Sequence, residues 1–164
     1  SAASSTGEEP YTLAMILMDF FGLEHNSWDT KILATDISTR VLAYASKGVY
    51  LKEQIEPLPP KWKQHYFKDI GNEQYEAKPE LKNEVIFRQF NLMNPLPFKK
   101  KFHVVFLRNV MIYFEDDTKY NLLQRIYDFM EPGGYLFIGT TEGLNRSRTS
   151  FQYVEPSIYR KQVR

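Results

Sequence analysis

Short apolar runs alternating with segments of helical period predict an α/β fold, a mostly parallel sheet flanked by helices. Three observations carry this expectation. Ile32-Leu33-Ala34 and the FHVVFL run at residues 102–107 are apolar without two-residue alternation, as strands covered on both faces are. The segments beginning near Glu8, Ser38 and Asp116 repeat apolar residues at helical spacing. Gly22, Gly48 and Pro132-Gly133-Gly134 punctuate the alternation where helices should stop.

Taken in order, Pro10, Leu13, Ala14, Leu17 and Phe21 set a helix over residues 8–23. Thr6 and Glu9 have capping-box spacing, and Pro10 is tolerated in a first turn. Residues 31–35 read as a buried strand ending at Asp36. Ser38 or Thr39 opens a helix through Ala45 that Gly48 closes. The texture then changes: residues 49–82 read as an insert, with a short helix at 61–67 and a hairpin centred on Gly71-Asn72. A strand at 84–90 ends at Asn91-Leu92, and FHVVFL follows a loop holding Pro95 and Pro97. Asp116 or Asp117 caps a helix through Met130. Residues 135–139 form another strand, and 151–154 with 158–161 a terminal antiparallel pair.

The 164 residues, 43% hydrophobic and 25% charged, suit one globular domain over residues 1–164 with the insert at 49–82. A net charge of +1 offers no electrostatic case for nucleic acid or an anionic membrane. No apolar run reaches the roughly 18 residues of a membrane span, since Asp19 interrupts the longest. No secretory signal is visible, and a cytoplasmic location is the expectation. Without cysteine there are neither disulfides nor thiol catalysis. The chain does not open on Met, and residues 1–4 resemble the tail of a truncated first strand. The expectation is a fragment of a longer protein.

Ligands of parallel sheets bind at the carboxyl ends of strands. The candidate site is therefore residues 4–9, Asp36, Asn91-Leu92, residues 108–113 and residues 140–142. The first turn lacks the glycines that let a pyrophosphate approach backbone amides, and Glu8 and Glu9 would repel one. A ligand with an ammonium or sulfonium group and no phosphate suits these carboxylates, and S-adenosylmethionine has both groups. Helix-dipole complementation alone also accounts for the two glutamates. Asp36 suits the hydroxyls of a ribose or, equally, the start of the following helix. Asn91 with Leu92 suits an adenine edge or a plain turn. Arg108 emerges from a buried strand and needs a partner, in the protein or in a ligand. Tyr113 lies beside the same strand end. The three histidines are scattered, and no metal site is expected.

STGEEPY at residues 5–11, ATDIS at 34–38, FNL at 90–92, RNVMIYF at 108–114 and PGGYLFIGTTE at 132–142 together resemble the CheR family of chemotaxis receptor methyltransferases. The resemblance covers nearly the whole chain. It implies a Rossmann-like class I methyltransferase fold and a protein-glutamate O-methyltransferase that uses S-adenosylmethionine and releases S-adenosylhomocysteine. By matched motif, Glu9 would contact the methionine part of the cofactor, Asp36 the ribose, and Asn91 with Leu92 the adenine. Leu107 and Arg108 would line the cofactor site, and Tyr113 would lie beside the transferred methyl. Arg108 and Tyr113 are the implied catalytic residues. The insert would be the family's small β-subdomain, which in some members docks a receptor tail peptide. The partner implied is the cytoplasmic domain of a methyl-accepting chemoreceptor. The family's N-terminal helical domain, with an arginine near the methyl, has no counterpart among these residues, and Ser4 stands where many members carry cysteine. Two other readings remain at this stage: a regulatory module that senses S-adenosylmethionine or S-adenosylhomocysteine without catalysis, and a nicotinamide-dependent dehydrogenase, which the missing glycine fingerprint opposes.

Overall fold

A computed structural model describes residues 1–163, the side chain of Asn26 excepted. The chain divides into two compact units: residue 1 with residues 3–89, and residue 2 with the residues from 90 onward. Each has its own apolar cluster.

In the first unit, α1 (Glu8–Phe21) buries Pro10, Tyr11, Ala14 and Met15, the stripe expected of a helix packed on one face. It leads through a 3-10 segment at Gly22–Ser27 to β1 (Ile32–Asp36). β1 pairs in parallel with β5 (Val85–Gln89), from Ile32 opposite Val85 to Asp36 opposite Gln89. Residues 1 and 4 run beside β1: Thr35 N–H donates to the Ser1 carbonyl at 2.9 Å and Ser4 N–H to the Thr35 carbonyl at 2.8 Å. α2 (Thr39–Lys47) starts on the Ser38 hydroxyl, which accepts from Val41 N–H, and stops at Gly48 in the left-handed region.

Residues 49–82 form β2 (Val49–Leu51), α3 (Lys52–Ile55), α4 (Pro60–Tyr66), β3 (Phe67–Gly71), β4 (Gln74–Ala77) and α5 (Pro79–Lys82). The strands make an antiparallel sheet in the order β2-β4-β3. The hairpin turns on Asn72 and Glu73, with φ of 52° and 55°, as a two-residue turn between twisted strands requires.

One expectation at the head of the chain is corrected. Thr6 does not cap α1. The N-cap is Gly7, at φ 96° and without a side-chain cap bond. The reason is packing: a Cβ at residue 7 would lie 2.8 Å from the Ala45 Cβ and 2.9 Å from the Tyr50 hydroxyl. Thr6 is turned to other work. Its carbonyl accepts from the Tyr50 hydroxyl at 2.8 Å and its own hydroxyl donates to Glu8 at 2.6 Å. The helix also ends two residues sooner than its period suggests, at Phe21.

In the second unit, β6 (Phe102–Leu107) and β7 (Met130–Ile138) are parallel. α6 (Asp116–Phe129) connects them and buries Leu122, Leu123 and Ile126. β9 (Ile158–Arg160) pairs antiparallel with β7 and with β8 (Gln152–Glu155), the terminal pair expected. Neither Asp116 nor Asp117 is the cap of α6. Glu115 holds the N-cap position, and the two aspartates in the first turn meet Arg148 at 3.5 and 2.7 Å. Pro132-Gly133-Gly134 does not separate helix from strand: β7 already begins at Met130 and runs through it, its register shifting against β6. Lys161 closes the helix instead, donating to the carbonyls of Tyr127 and Met130 at 2.7 and 2.9 Å. Among the described residues no helix is long and apolar enough to cross a membrane.

Two outcomes are expected. Gly7→Ala must both adopt a left-handed φ and displace Ala45 and Tyr50, and should lose about 2–4 kcal/mol of stability in urea unfolding. Burial pushes the Tyr11 phenol from 10 up to about 12, and the Tyr50 phenol up as well. A folded-state value above the unfolded one contributes stability below pH 10 that disappears as pH rises through about 12. Urea unfolding should therefore weaken across that range, and the deficit of Tyr11→Phe near neutral pH should shrink there.

Candidate cofactor site

The expected site residues fall in both units. In the first, β1 delivers Asp36 half-buried at its carboxyl end. Oδ2 accepts from Ser5 N–H and Oδ1 from Ser38 N–H, both at 2.9 Å. Asp36 thus holds the head loop to β1 while preparing α2, whose cap is Ser38 rather than Asp36 itself. Ser5 takes a left-handed φ of 47° to present its amide. A carboxylate has about four acceptor positions, and two bonds here leave capacity for a pair of hydroxyl donors.

Glu9 in α1 accepts from the Ser1 hydroxyl at 2.8 Å, so Glu9 and Asp36 both attach to the first residues of the chain. Glu8 is exposed and is held by the Thr6 hydroxyl and, at 3.2 Å, by Gln54 of the inserted segment. Two of the loop's amides are engaged within the protein: Ser5 on Asp36 and Gly7 on the Ser4 carbonyl at 3.0 Å. The buried Ser4 hydroxyl, by contrast, has no partner. Carboxylates in the first turn of α1 fit a cationic nucleoside, and S-adenosylmethionine meets that description.

In the second unit, Asn91 Oδ1 accepts from Met93 N–H at 2.9 Å, an Asx turn in the chain that follows β5. Leu92 is half-buried against the cluster that contains Leu107. The Arg125 guanidinium on α6 holds this turn, donating to the carbonyls of Leu92 at 2.7 Å and Asn94 at 2.5 Å. Nothing in the sequence distinguished Arg125 from a solvated helix residue.

Leu107, fully buried, ends β6, and half-buried Arg108 follows it directly. Asn109 then reverses the chain at φ 56°. Tyr113 ends the 3-10 turn Met111–Tyr113 and is 79% exposed, available to something outside the unit's own core.

The residue missed among the candidates is Glu142. Its Oε2 accepts from Gly139 N–H at 2.6 Å and Asn109 N–H at 3.0 Å, and its Oε1 from Met111 N–H at 2.9 Å. The strand-end rule had located residues 140–142, but not the function of this side chain. Elsewhere, His25 meets Thr30 and Glu84 at 2.8 and 3.3 Å, and among the described residues no group of three or more His, Asp or Glu is arranged to hold a metal.

Comparison with known proteins gives the family. The family model "CheR methyltransferase, SAM binding domain" matches residues 1–160. The chemotaxis protein methyltransferase of Borreliella burgdorferi is 41% identical over 98% of this chain and 57% of its own length. That of Escherichia coli is 37% identical over 97% and 56%, and the probable chemotaxis protein methyltransferase of Rhizobium etli 34% over 98% and 64%. The chain thus spans somewhat more than half the length of the curated relatives it matches. On a family match over nearly every residue, with a strand-end aspartate and an acidic head loop in place, the chain belongs to the CheR methyltransferase family, as its S-adenosylmethionine-binding domain.

Proposed function

We propose that this domain serves in a cytoplasmic protein-glutamate O-methyltransferase that esterifies glutamate side chains of bacterial chemoreceptors. The observation that carries the reading is the acidic head loop anchored on Asp36, within a chain of the CheR family. Bound S-adenosylmethionine supplies a methyl group activated on a sulfonium, which a carboxylate oxygen can accept, leaving S-adenosylhomocysteine. A glutamate, with an ordinary pKa of about 4.3, is already ionised at neutral pH, so no residue of this chain need act as general base. What remains for the protein is to bind, orient and exclude water, and orientation alone supplies roughly 7–11 kcal/mol in favourable cases.

In this reading Asp36 accepts from the ribose hydroxyls and Glu9 faces the cationic methionine end. Asn91 and Leu92 take the adenine, and Leu107 lines the pocket. Arg108 and Tyr113 orient the reacting groups. The cytoplasmic domain of a methyl-accepting chemoreceptor is the substrate partner. A receptor tail peptide would add beside β2, an edge strand bordering a hollow lined by Tyr44, Val49, Leu51 and Gln74.

The full-length protein, given S-adenosylmethionine with a labelled methyl and purified receptor cytoplasmic domain, should place base-labile label on receptor glutamates. Binding of S-adenosylhomocysteine with no transfer to any receptor would favour a sensing module instead. Asp36→Ala should weaken S-adenosylhomocysteine in calorimetry by more than about tenfold, the value of one charge-assisted bond. Unchanged affinity refutes the ribose assignment. Tyr113→Phe should lower kcat by about tenfold while moving that affinity much less, and equal losses contradict a place beside the methyl.

A further inference from the structure

The feature that the proposed chemistry leaves unused is the Glu142 carboxylate. It lies in the loop after β7, yet two of its three hydrogen bonds go to the segment after β6, more than thirty residues earlier in the chain. Met111 is buried and two backbone bonds close the turn, but two features of the segment call for a partner outside it. Asn109 is in the left-handed region, and the turn Met111–Tyr113 has no side-chain cap of its own. Glu142 provides both missing elements: Oε2 holds the Asn109 amide in its reversed conformation, and Oε1 takes the first donor of the turn, Met111 N–H. Oε2 also binds Gly139 N–H, which anchors the carboxylate to the end of β7. The approach is close: a Cβ at residue 139 would lie 2.5 Å from the Asn109 Oδ1 and 2.7 Å from the Glu142 Oε2, and would displace both side-chain ends.

We propose that Glu142 is a positioning residue for methyl transfer: its carboxylate staples the loop of residues 108–113 to the end of β7 and so sets where Arg108 and Tyr113 stand. The assignment rests on the reading of Arg108 and Tyr113 given above. Chemistry requires a carboxylate, because three donors converge on it. An amide of the same shape would turn an NH2 group toward one backbone N–H and lose at least one of the three bonds.

The test uses Glu142→Gln and Gly139→Ala in the full-length protein. The second variant leaves the carboxylate intact but pushes it from its seat, against flexible side-chain ends that can yield. Amide hydrogen exchange at Asn109 and Met111 should accelerate by about tenfold or more in both variants, with α6 and β7 protected as before. Turnover should fall by about tenfold or more while S-adenosylhomocysteine affinity changes by less than about threefold. Unchanged exchange at both amides overturns the staple. Accelerated exchange with unchanged turnover overturns its role in positioning, as does an equal loss of turnover and affinity. Should the wild-type protein transfer no methyl to a glutamyl acceptor, the functional reading fails separately, and the exchange data on both variants still decide whether Glu142 holds the loop.

Discussion

A carboxylate that accepts backbone amides from segments far apart in sequence is the interaction on which the functional parts of this chain depend. Asp36 does this in the first unit, bonding Ser5 and Ser38, and Glu142 does it in the second, bonding Asn109, Met111 and Gly139. Loops at the ends of parallel strands have amides that no ladder satisfies, and such groups need partners wherever water is restricted. Bonds to an ionised acceptor are shorter and about twice as strong as neutral ones. One side chain can therefore fix a loop that two or three neutral contacts would leave mobile. In both places the loop so held contains a left-handed residue that is not glycine, Ser5 in one and Asn109 in the other, a conformation that persists only where its surroundings impose it.

The head loop is held from its other side as well. Tyr50 and Tyr11, buried and packed edge to face, donate to the carbonyls of Thr6 and Ala45. Gly7 lets α2 approach to the distance at which those bonds form. The inserted sheet, through Tyr50 on β2, is thereby part of the support of the loop that bears Glu8 and Glu9.

The head loop spends the Ser5 and Gly7 amides on bonds within the protein, and it carries the carboxylates of Glu8 and Glu9. S-adenosylmethionine brings a cationic centre and needs neither an anion nest nor a base. In the proposed transfer the demands fall on orientation, and the two stapled loops would serve it.

Much of the fold was legible in the sequence because it rests on local rules. α1 follows apolar period, α2 follows Ser38 and Gly48, the hairpin falls within a residue of the expected Gly71-Asn72 centre, turning on Asn72 and Glu73, and β6 coincides with the FHVVFL run. The places of Asp36 at the end of β1 and of Arg108 directly after β6 were legible for the same reason, each set by a recognisable strand. The sequence by itself thus determined the elements, their order, the acidic character of the head loop and the family. Only the tertiary structure decided that Gly7 and not Thr6 begins α1, that Asp36 binds Ser5, that Arg125 holds the turn at Leu92, and that Glu142 reaches Asn109 and Met111. The physical reason is range. A helix period or a turn is written in adjacent residues, whereas the partner of a carboxylate or guanidinium is chosen by which distant backbone groups the fold leaves unsatisfied within its reach.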